Sequence, residues 1–223
     1  MKINSCIVVG CGGTGGHLVP PLIKLLKYHP HGTTNITVID GDNFEPHNAT
    51  RQEGLPSKNK IIHYAQTGKV CTLTQADPQY LGKENIHDII ANVIPPVLII
   101  PAVDNHATRN LLLQKLHELN TDYIWVSPGN EYETYMVSVG RLGVFSSVLD
   151  RYEDIKNPSD GLPNSCLAEQ VSHPQLLAAN MSAASATLNT VTNILDGVAV
   201  HQELVGDVRK GKSTGVGLPK VLT

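Results

Sequence analysis

A cluster of glycines directly after an apolar run is the feature that most limits how this chain can fold. The run Ile3–Val9 has the composition of a buried strand, and Leu18–Leu26 repeats apolar residues at helical spacing. The glycines between them are Gly10, Gly12, Gly13, Gly15 and Gly16. Glycine permits positive φ angles and close approach of a ligand, while a helix N-terminus offers free N–H groups and partial positive charge. This order of strand, turn and helix predicts a phosphate-binding loop.

The second apolar run, Ile36–Ile39, ends in an acidic residue, Asp40. In Rossmann-type sites an acidic side chain at the tip of the second strand binds ribose hydroxyls. The glycine loop alone would equally suit a dinucleotide dehydrogenase or a methyltransferase. Asp40 therefore favours a ribose-containing nucleotide over a bare phosphate ion.

The composition is that of a globular protein with no global attraction to polyanions. The chain has 41% hydrophobic and 17% charged residues, a formal charge of −3 and a pI near 6.3. We therefore expect no direct nucleic-acid partner.

No apolar run reaches the roughly 18 residues of a membrane span, so we expect no membrane association and a cytoplasmic location. The cysteines form no CxxC pair, which argues against a disulfide framework or a cysteine zinc site; they are Cys6, Cys11, Cys71 and Cys166.

Further along the chain, the apolar pattern predicts an α/β fold, Rossmann-like, with a mixed, mostly parallel sheet and helices on both faces. We expect strands at Lys69–Leu73, Val97–Ile100, Tyr123–Val126 and Tyr135–Val139, the last one antiparallel, and helices at Asn59–Gly68, Asn105–Leu119 and Gln175–Leu195. The tail from Gly206 indicates two short strands, with a basic flexible end as the alternative. The stretch Ser147–Ser165 is polar and turn-rich, and we expect it to be irregular.

The segment between Asp40 and Gln52 is polar and dense in groups that bind nucleotides and metals. Its candidate side chains are Asp40, Asp42, Asn48, Arg51 and Gln52. Aspartate and asparagine also dominate turns, so these residues have a purely structural alternative in which Arg51 is a solvated charge.

Four motifs in a fixed order resemble the ThiF/MoeB/HesA family, whose larger relatives are the ubiquitin-activating enzymes. The motifs are GCGGTG in the first loop, DGD after the second strand, N-x-x-R-Q at Asn48, Arg51 and Gln52, and D-N-x-x-x-R at Asp104, Asn105 and Arg109. The resemblance implies an ATP-dependent adenylyltransferase that activates a C-terminal carboxylate. It also implies a single ThiF-like adenylation domain over residues 1–223, with a mobile crossover segment at about 147–173.

The resemblance assigns roles to individual residues. Arg51, Lys60, Asp104 and Cys166 would be catalytic, and Asp104 would carry Mg²⁺. The ATP-binding residues would be Gly10, Gly12, Gly13, Thr14, Gly15, Asp40, Asp42, Asn48, Arg51, Gln52, Lys60, Asp104 and Asn105. A carboxylate attacking the α-phosphate must overcome charge repulsion, so fixed positive groups, hydrogen-bond donors and a divalent ion suit this chemistry.

Several of these roles have structural alternatives. Lys58 lies two residues before Lys60, and one of the two is a solvated charge. Asp104 has the alternative role of N-cap for the helix that follows. Arg109 lies within that helix and has a structural alternative. Cys166 is either the nucleophile that receives the activated carboxylate or an ordinary thiol packed on a helix.

The expected substrate is the C-terminal glycine of a small ubiquitin-like or sulfur-carrier protein, and the resemblance implies a homodimer. The given sequence begins at the first strand, so we expect no counterpart of the N-terminal arginine that relatives lend to a neighbouring subunit. The alternatives are adenylation of a small-molecule or tRNA-linked carboxylate, a silent nucleotide-binding scaffold, and an NAD-dependent oxidoreductase. The last is disfavoured, because the DGD, N-x-x-R-Q and D-N-x-x-x-R motifs have no use in hydride transfer.

Overall fold

The fold is taken from a computed structural model that describes residues 1–50, 52, 58–66, 74–159 and 175–222. The predictions made for Arg51, Cys71 and Cys166, and the strand expected at Lys69–Leu73, lie outside the described residues.

One sheet of eight strands runs through the described residues. The strands are β1 (Ser5–Val9), β2 (Ile36–Ile39), β3 (Thr74–Asp77), β4 (Val97–Pro101), β5 (Tyr123–Asn130), β6 (Thr134–Gly140), β7 (Glu203–Asp207) and β8 (Lys212–Val216). Their order is β3-β2-β1-β4-β5-β6-β7-β8. Strands β1 to β5 are parallel, whereas β6, β7 and β8 join antiparallel. The predicted mixed, mostly parallel sheet is confirmed. Of the two strands expected in the tail from Gly206, β8 lies within it, whereas β7 begins three residues before it.

Helices cover both faces of the sheet. They are α1 (Gly13–Tyr28), α2 (Lys60–Gln66), α3 (Ile86–Ala91), α4 (His106–Glu118), α5 (Val148–Arg151), α6 (Glu153–Lys156) and α7 (Leu177–Asp196), and a 3₁₀ helix spans Pro46–Thr50. The two four-residue helices α5 and α6 lie in the stretch that we expected to be irregular. Within the described part of the chain, no helix has the length and apolar character needed to span a membrane.

The two hydrophobic cores follow from the alternation of side chains along the buried strands. On β1, Cys6 and Val8 point into one core, and Ile7 and Val9 point into the other. The first core contains apolar residues of α1, α2 and α7 and the second contains those of α3 and α4; α1 packs closely against α7. Because β1 is buried on both faces, its sequence is a continuous apolar run rather than an alternating one.

The strand order places a topological switch point between β1 and β4. The chain leaves β1 toward β2 and β3 on one side, and returns through β4 and β5 on the other. In open parallel sheets, ligands bind in the crevice at the carboxyl ends of the strands on either side of this point. The glycine loop after β1 and the segment Ala102–Asn105 after β4 both begin at this edge.

The structural alternative for Asp104, an N-cap role at the start of α4, is not the one that the structure shows. Asn105, not Asp104, is the N-cap of α4, because the Asn105 side chain accepts a hydrogen bond from the Thr108 N–H at 2.8 Å. Asp104 is thus left outside the cap. It is exposed at the carboxyl edge of the sheet.

Replacing Gly15 tests how closely α1 approaches the preceding loop. A Cβ atom at Gly15 would lie 2.0 Å from the carbonyl oxygen of Gly10. Gly15→Ala should therefore lower the free energy of unfolding by about 2 kcal/mol or more, although alanine is the better helix former. Chemical denaturation measures the change. Gly129→Ala is the control, since a Cβ there meets nothing within 4 Å and should change stability by less than about 0.5 kcal/mol. Equal stability of the two variants would contradict this packing.

Candidate functional site

Main-chain contacts hold the tips of three parallel strands together. The Gly10 N–H donates to the carbonyl of Ile39, at the end of β2, and the Ala102 N–H donates to the carbonyl of Val9. Gly10 has φ +96°, and a Cβ there would lie 2.6 Å from the Ala102 carbonyl oxygen. The tight turn after β1 therefore requires glycine for both its backbone angle and its contact with the β4 tip.

The N-terminus of α1 offers donors to an anion. Its N-cap is Gly12, which has no side chain, and the first turn contains no acidic residue. The N–H groups of the first helical turn have no intrahelical acceptors and carry the positive end of the helix dipole. The predicted phosphate-binding loop therefore has the backbone geometry that its sequence implied.

Asp40 is buried at the tip of β2, and two main-chain donors hold its carboxylate. It accepts hydrogen bonds from the N–H groups of Cys11, in the glycine loop, and Asp42. Burial raises the pKa of Asp40 to about 6; the neighbouring Lys60 ammonium lowers it and the Asp42 carboxylate raises it. The carboxylate that the sequence assigned to a ribose thus also ties the β2 tip to the glycine loop.

Lys60 is brought to Asp42 by a short stretch of paired main chain. The Lys60 N–H donates to the Asp42 carbonyl, and Asn43 bridges to Asn59 in antiparallel fashion. The Lys60 ammonium, only 5% exposed, lies 3.0 Å from the Asp42 carboxylate, which also accepts from the Tyr80 hydroxyl at 2.7 Å. Lys58, the alternative lysine, is exposed. The structure thus places Lys60, and not Lys58, in the buried charge cluster beside Asp40.

The 3₁₀ helix carries Asn48 and leads the chain back toward the glycine loop. Asn48 is buried, and its Oδ1 accepts a hydrogen bond from the Glu45 N–H at 2.9 Å. The Gln52 N–H donates to the Asn48 carbonyl, and a Cβ at Gly12 would lie 3.9 Å from Gln52 Nε2. Gln52 Oε1 is buried without a hydrogen-bond partner in the described chain. Gln52 therefore lies next to the glycine loop, and its Oε1 is an acceptor without a partner among the described residues.

Arg109 anchors the segment after β4. Its guanidinium donates to the Val103 carbonyl at 2.6 Å and to the Pro128 carbonyl at 3.3 Å. These bonds join the end of β4 to β5 and fix the main chain next to Asp104. The side chain of Arg109 is buried and is used for structure, in agreement with the structural alternative for this residue.

Two asparagines at the glycine loop were not predicted from the sequence. The Thr14 hydroxyl donates to Asn130 Oδ1 at 2.9 Å, and the Asn130 amide donates to Asn180 Oδ1 at 2.9 Å. Asn130 ends β5, and Asn180 is fully buried in the first turn of α7. No sequence signal marks Asn180, which stands in an alanine-rich helix 166 residues beyond Thr14.

The structure thus brings most of the predicted residues to one edge of the sheet. On the β2 side, Asp40 and Gln52 lie next to the glycine loop, Asp42 and Lys60 lie beside Asp40, and Asn48 bonds to Gln52. Asp104 and Asn105 follow β4. Among the described residues, no group of three or more His, Cys, Asp or Glu side chains is arranged to hold a metal ion.

The sequence and the fold were both compared with those of known proteins. The sequence model of the ThiF family matches residues 1–207. Comparison with curated protein sequences gave no match. Among solved structures, PaaA aligns with a TM-score of 0.65 at 16% identity, covering 94% of this chain and 71% of PaaA. E. coli MccB with MccA-N7isoASN aligns with a TM-score of 0.64 at 14% identity, covering 98% of this chain and 66% of MccB. E. coli MccB with ATP aligns with a TM-score of 0.63 at 16% identity, covering 98% of this chain and 65% of MccB.

These structural likenesses concern the fold. The chain spans about two thirds of the length of the MccB structures that it resembles. Identities of 14 to 16% establish a shared architecture and leave the substrate open.

The raised pKa of Asp40 gives a testable pH dependence. Its pKa of about 6 in the folded state exceeds the value of about 3.9 for an unfolded chain. The folded protein therefore binds this proton more tightly, and the stabilisation is present below pH 4 and lost as the pH rises through 6. From pH 4 to pH 7, the free energy of unfolding of wild type should fall relative to Asp40→Asn, by up to about 3 kcal/mol.

Urea denaturation across this pH range measures the difference. Asp154→Asn, at an exposed position on α6, shows what the same substitution does without burial. A difference between wild type and Asp40→Asn that stays constant from pH 4 to pH 7 would contradict the buried ionisation.

Proposed function

The chain belongs to the ThiF family of ATP-dependent adenylyltransferases, and from that premise we propose that it activates the C-terminal carboxylate of a peptide or small protein. The observation that carries the proposal is the convergence at one sheet edge of an uncapped helix N-terminus, a buried aspartate and a buried lysine. These groups suit the phosphates, ribose and charge of a nucleoside triphosphate.

The proposed reaction joins a carboxylate oxygen to the α-phosphorus of ATP. The bond from that phosphorus to the bridging oxygen of the β-phosphate breaks, and pyrophosphate leaves with the electron pair. Both reactants are negative, so the site must offset their repulsion. The first turn of α1 supplies N–H donors, Lys60 supplies a fixed positive charge, and Asp40 accepts from the ribose hydroxyls.

Asp104 is the proposed magnesium ligand. Mg²⁺ takes one or two protein carboxylates together with phosphate oxygens and water, and Asp104 is an exposed carboxylate at the edge of the sheet where the triphosphate would lie. When bound, the ion would offset negative charge on the phosphates. The segment that carries Asp104 is held by Asn105 and Arg109.

A peptide or protein substrate is favoured over a small molecule. E. coli MccB, which shares this fold, has been solved with ATP, and the Microcin C7 biosynthetic enzyme MccB has been solved with N-formylated MccA. We further propose that the substrate ends in glycine, as in ubiquitin-like and sulfur-carrier proteins, and that Arg51 contacts the phosphates. We also propose that the chain forms a single adenylation domain and that it is a homodimer. The activated carboxylate is then transferred to Cys166. The competing candidate is a scaffold that binds ATP without catalysis.

Lys60 and Lys58 form a matched pair for testing the charge that faces the triphosphate. Lys60→Ala should weaken MgATP binding at least tenfold, because it removes the buried positive charge, whereas Lys58→Ala, at an exposed position, should change it less than twofold. Isothermal titration calorimetry gives both dissociation constants. Equal effects of the two substitutions would remove Lys60 from the site.

Asp104 is tested by ATP–pyrophosphate exchange with a peptide ending in Gly-Gly. Asp104→Ala should reduce the magnesium-dependent exchange about 100-fold or more. Asp88→Ala, at an exposed position of α3, should leave it unchanged. The same peptide with a C-terminal amide has no carboxylate and should give no exchange. ATP binding without exchange for any carboxylate would favour the scaffold instead.

A further inference from the structure

Asn180 is a buried polar side chain at the glycine loop that none of the loop motifs includes. We propose that Asn180 recognises the phosphates of the nucleotide: through Asn130 and Thr14 it holds the first turn of α1, and it keeps one amide donor for a phosphate oxygen. The inference rests on the proposed function, since it takes the glycine loop as the phosphate site. It adds a binding residue from α7, an element that follows the loop motifs by more than 60 residues.

The hydrogen bonds of this cluster run in one direction. The Thr14 hydroxyl donates to Asn130 Oδ1, and Asn130 Nδ2 donates to Asn180 Oδ1, both at 2.9 Å. Thr14 Oγ1 also lies 3.2 Å from Asn180 Oδ1. Because Asn180 Oδ1 accepts here, Nδ2 is the atom of this amide that remains for another partner. The series of donors therefore ends at Asn180 Nδ2.

That last donor has no acceptor. Asn180 is fully buried, and within the described part of the chain its Nδ2 makes no hydrogen bond. A buried donor without an acceptor is costly, and such groups in folded proteins call for a specific explanation. Phosphate oxygens are strong acceptors, and a bound nucleotide would bring them to this loop.

The position of the amide links it to the phosphate loop. A Cβ at Gly13 would lie 2.7 Å from Asn180 Nδ2 and 2.9 Å from its Cγ and Oδ1, so the whole amide group packs beside the first residue of α1. Neither α1 nor α7 has an acidic residue in its first turn or a side-chain cap at its N-terminus. An anion at the start of α1 would therefore meet donors and the positive ends of helix dipoles, with no carboxylate from these first turns.

Further contacts tie α7 to the same place. The Leu176 N–H donates to the Tyr132 carbonyl, and the Gln175 amide donates to the Asn130 carbonyl at 3.2 Å. The start of α7 is thus fixed to Asn130 and to Tyr132, which follows β5. This anchoring gives Asn180 a defined position relative to Gly13.

The test compares nucleotides that differ in phosphate content. Calorimetric dissociation constants are measured for ATP, ADP and adenosine with wild type and Asn180→Asp, which keeps the size and the Oδ1 acceptor but replaces the donor with a negative oxygen. We expect ATP and ADP to bind at least tenfold more weakly to the variant and adenosine to change less than twofold. Asn189→Asp, at an exposed position of the same helix, should match wild type for all three.

Each other outcome overturns the inference. A folded Asn180→Asp variant that binds ATP like wild type removes Asn180 from phosphate recognition, and an equal loss for ATP and adenosine reduces it to a structural role. Should that variant fail to fold, Asn130→Asp, at a partly exposed position, must show the same phosphate-dependent loss or the inference is wrong. Wild type that binds no nucleotide would overturn the proposed function as well, so the two failures are distinguishable.

Discussion

The close contact between Gly10 and the Ala102 carbonyl is the constraint on which the site depends. It brings the tips of β1 and β4 together at the switch point of the sheet, and the hydrogen bond from Gly10 to Ile39 adds the tip of β2. With these three tips fixed, the N-terminus of α1 opens toward the crevice between β1 and β4. Any side chain at position 10 would separate the two segments that we propose to hold the triphosphate and the metal.

Burial of charge distinguishes the β2 side of this crevice. Asp40 and Lys60 are buried, and the Asp42 carboxylate, which is partly exposed, lies against Lys60. The arrangement is costly for an isolated fold, because desolvation opposes the ionised forms. It becomes useful when a nucleotide supplies ribose hydroxyls and phosphate oxygens as further partners. The paired main chain between Asp42 and Lys60 keeps the lysine in place without any ligand.

The sequence predicted best those parts of the site that are set by local chemistry. Glycines after an apolar strand, together with Asp40 at the next strand tip, were enough to indicate the loop, and the predicted mixed sheet is confirmed. The structural alternative that made Asp104 the N-cap was off by one residue, because Asp and Asn are both good caps and backbone geometry decides between them. The four-residue helices at Val148–Arg151 and Glu153–Lys156 lie in a polar, turn-rich stretch, where periodicity gives no signal over so short a length.

The sequence by itself indicated the first two strands, the glycine loop and the polar residues that follow these strands, because these depend on backbone freedom and on the period of apolar residues. Only the tertiary structure decided that Lys60 rather than Lys58 enters the buried cluster, and that Asn130 and Asn180 lie against the loop. Asn180 reaches Thr14 across 166 residues of chain. Such a contact arises from the packing of α7 against α1. No local pattern in either helix indicates which of its polar side chains will contact the other helix.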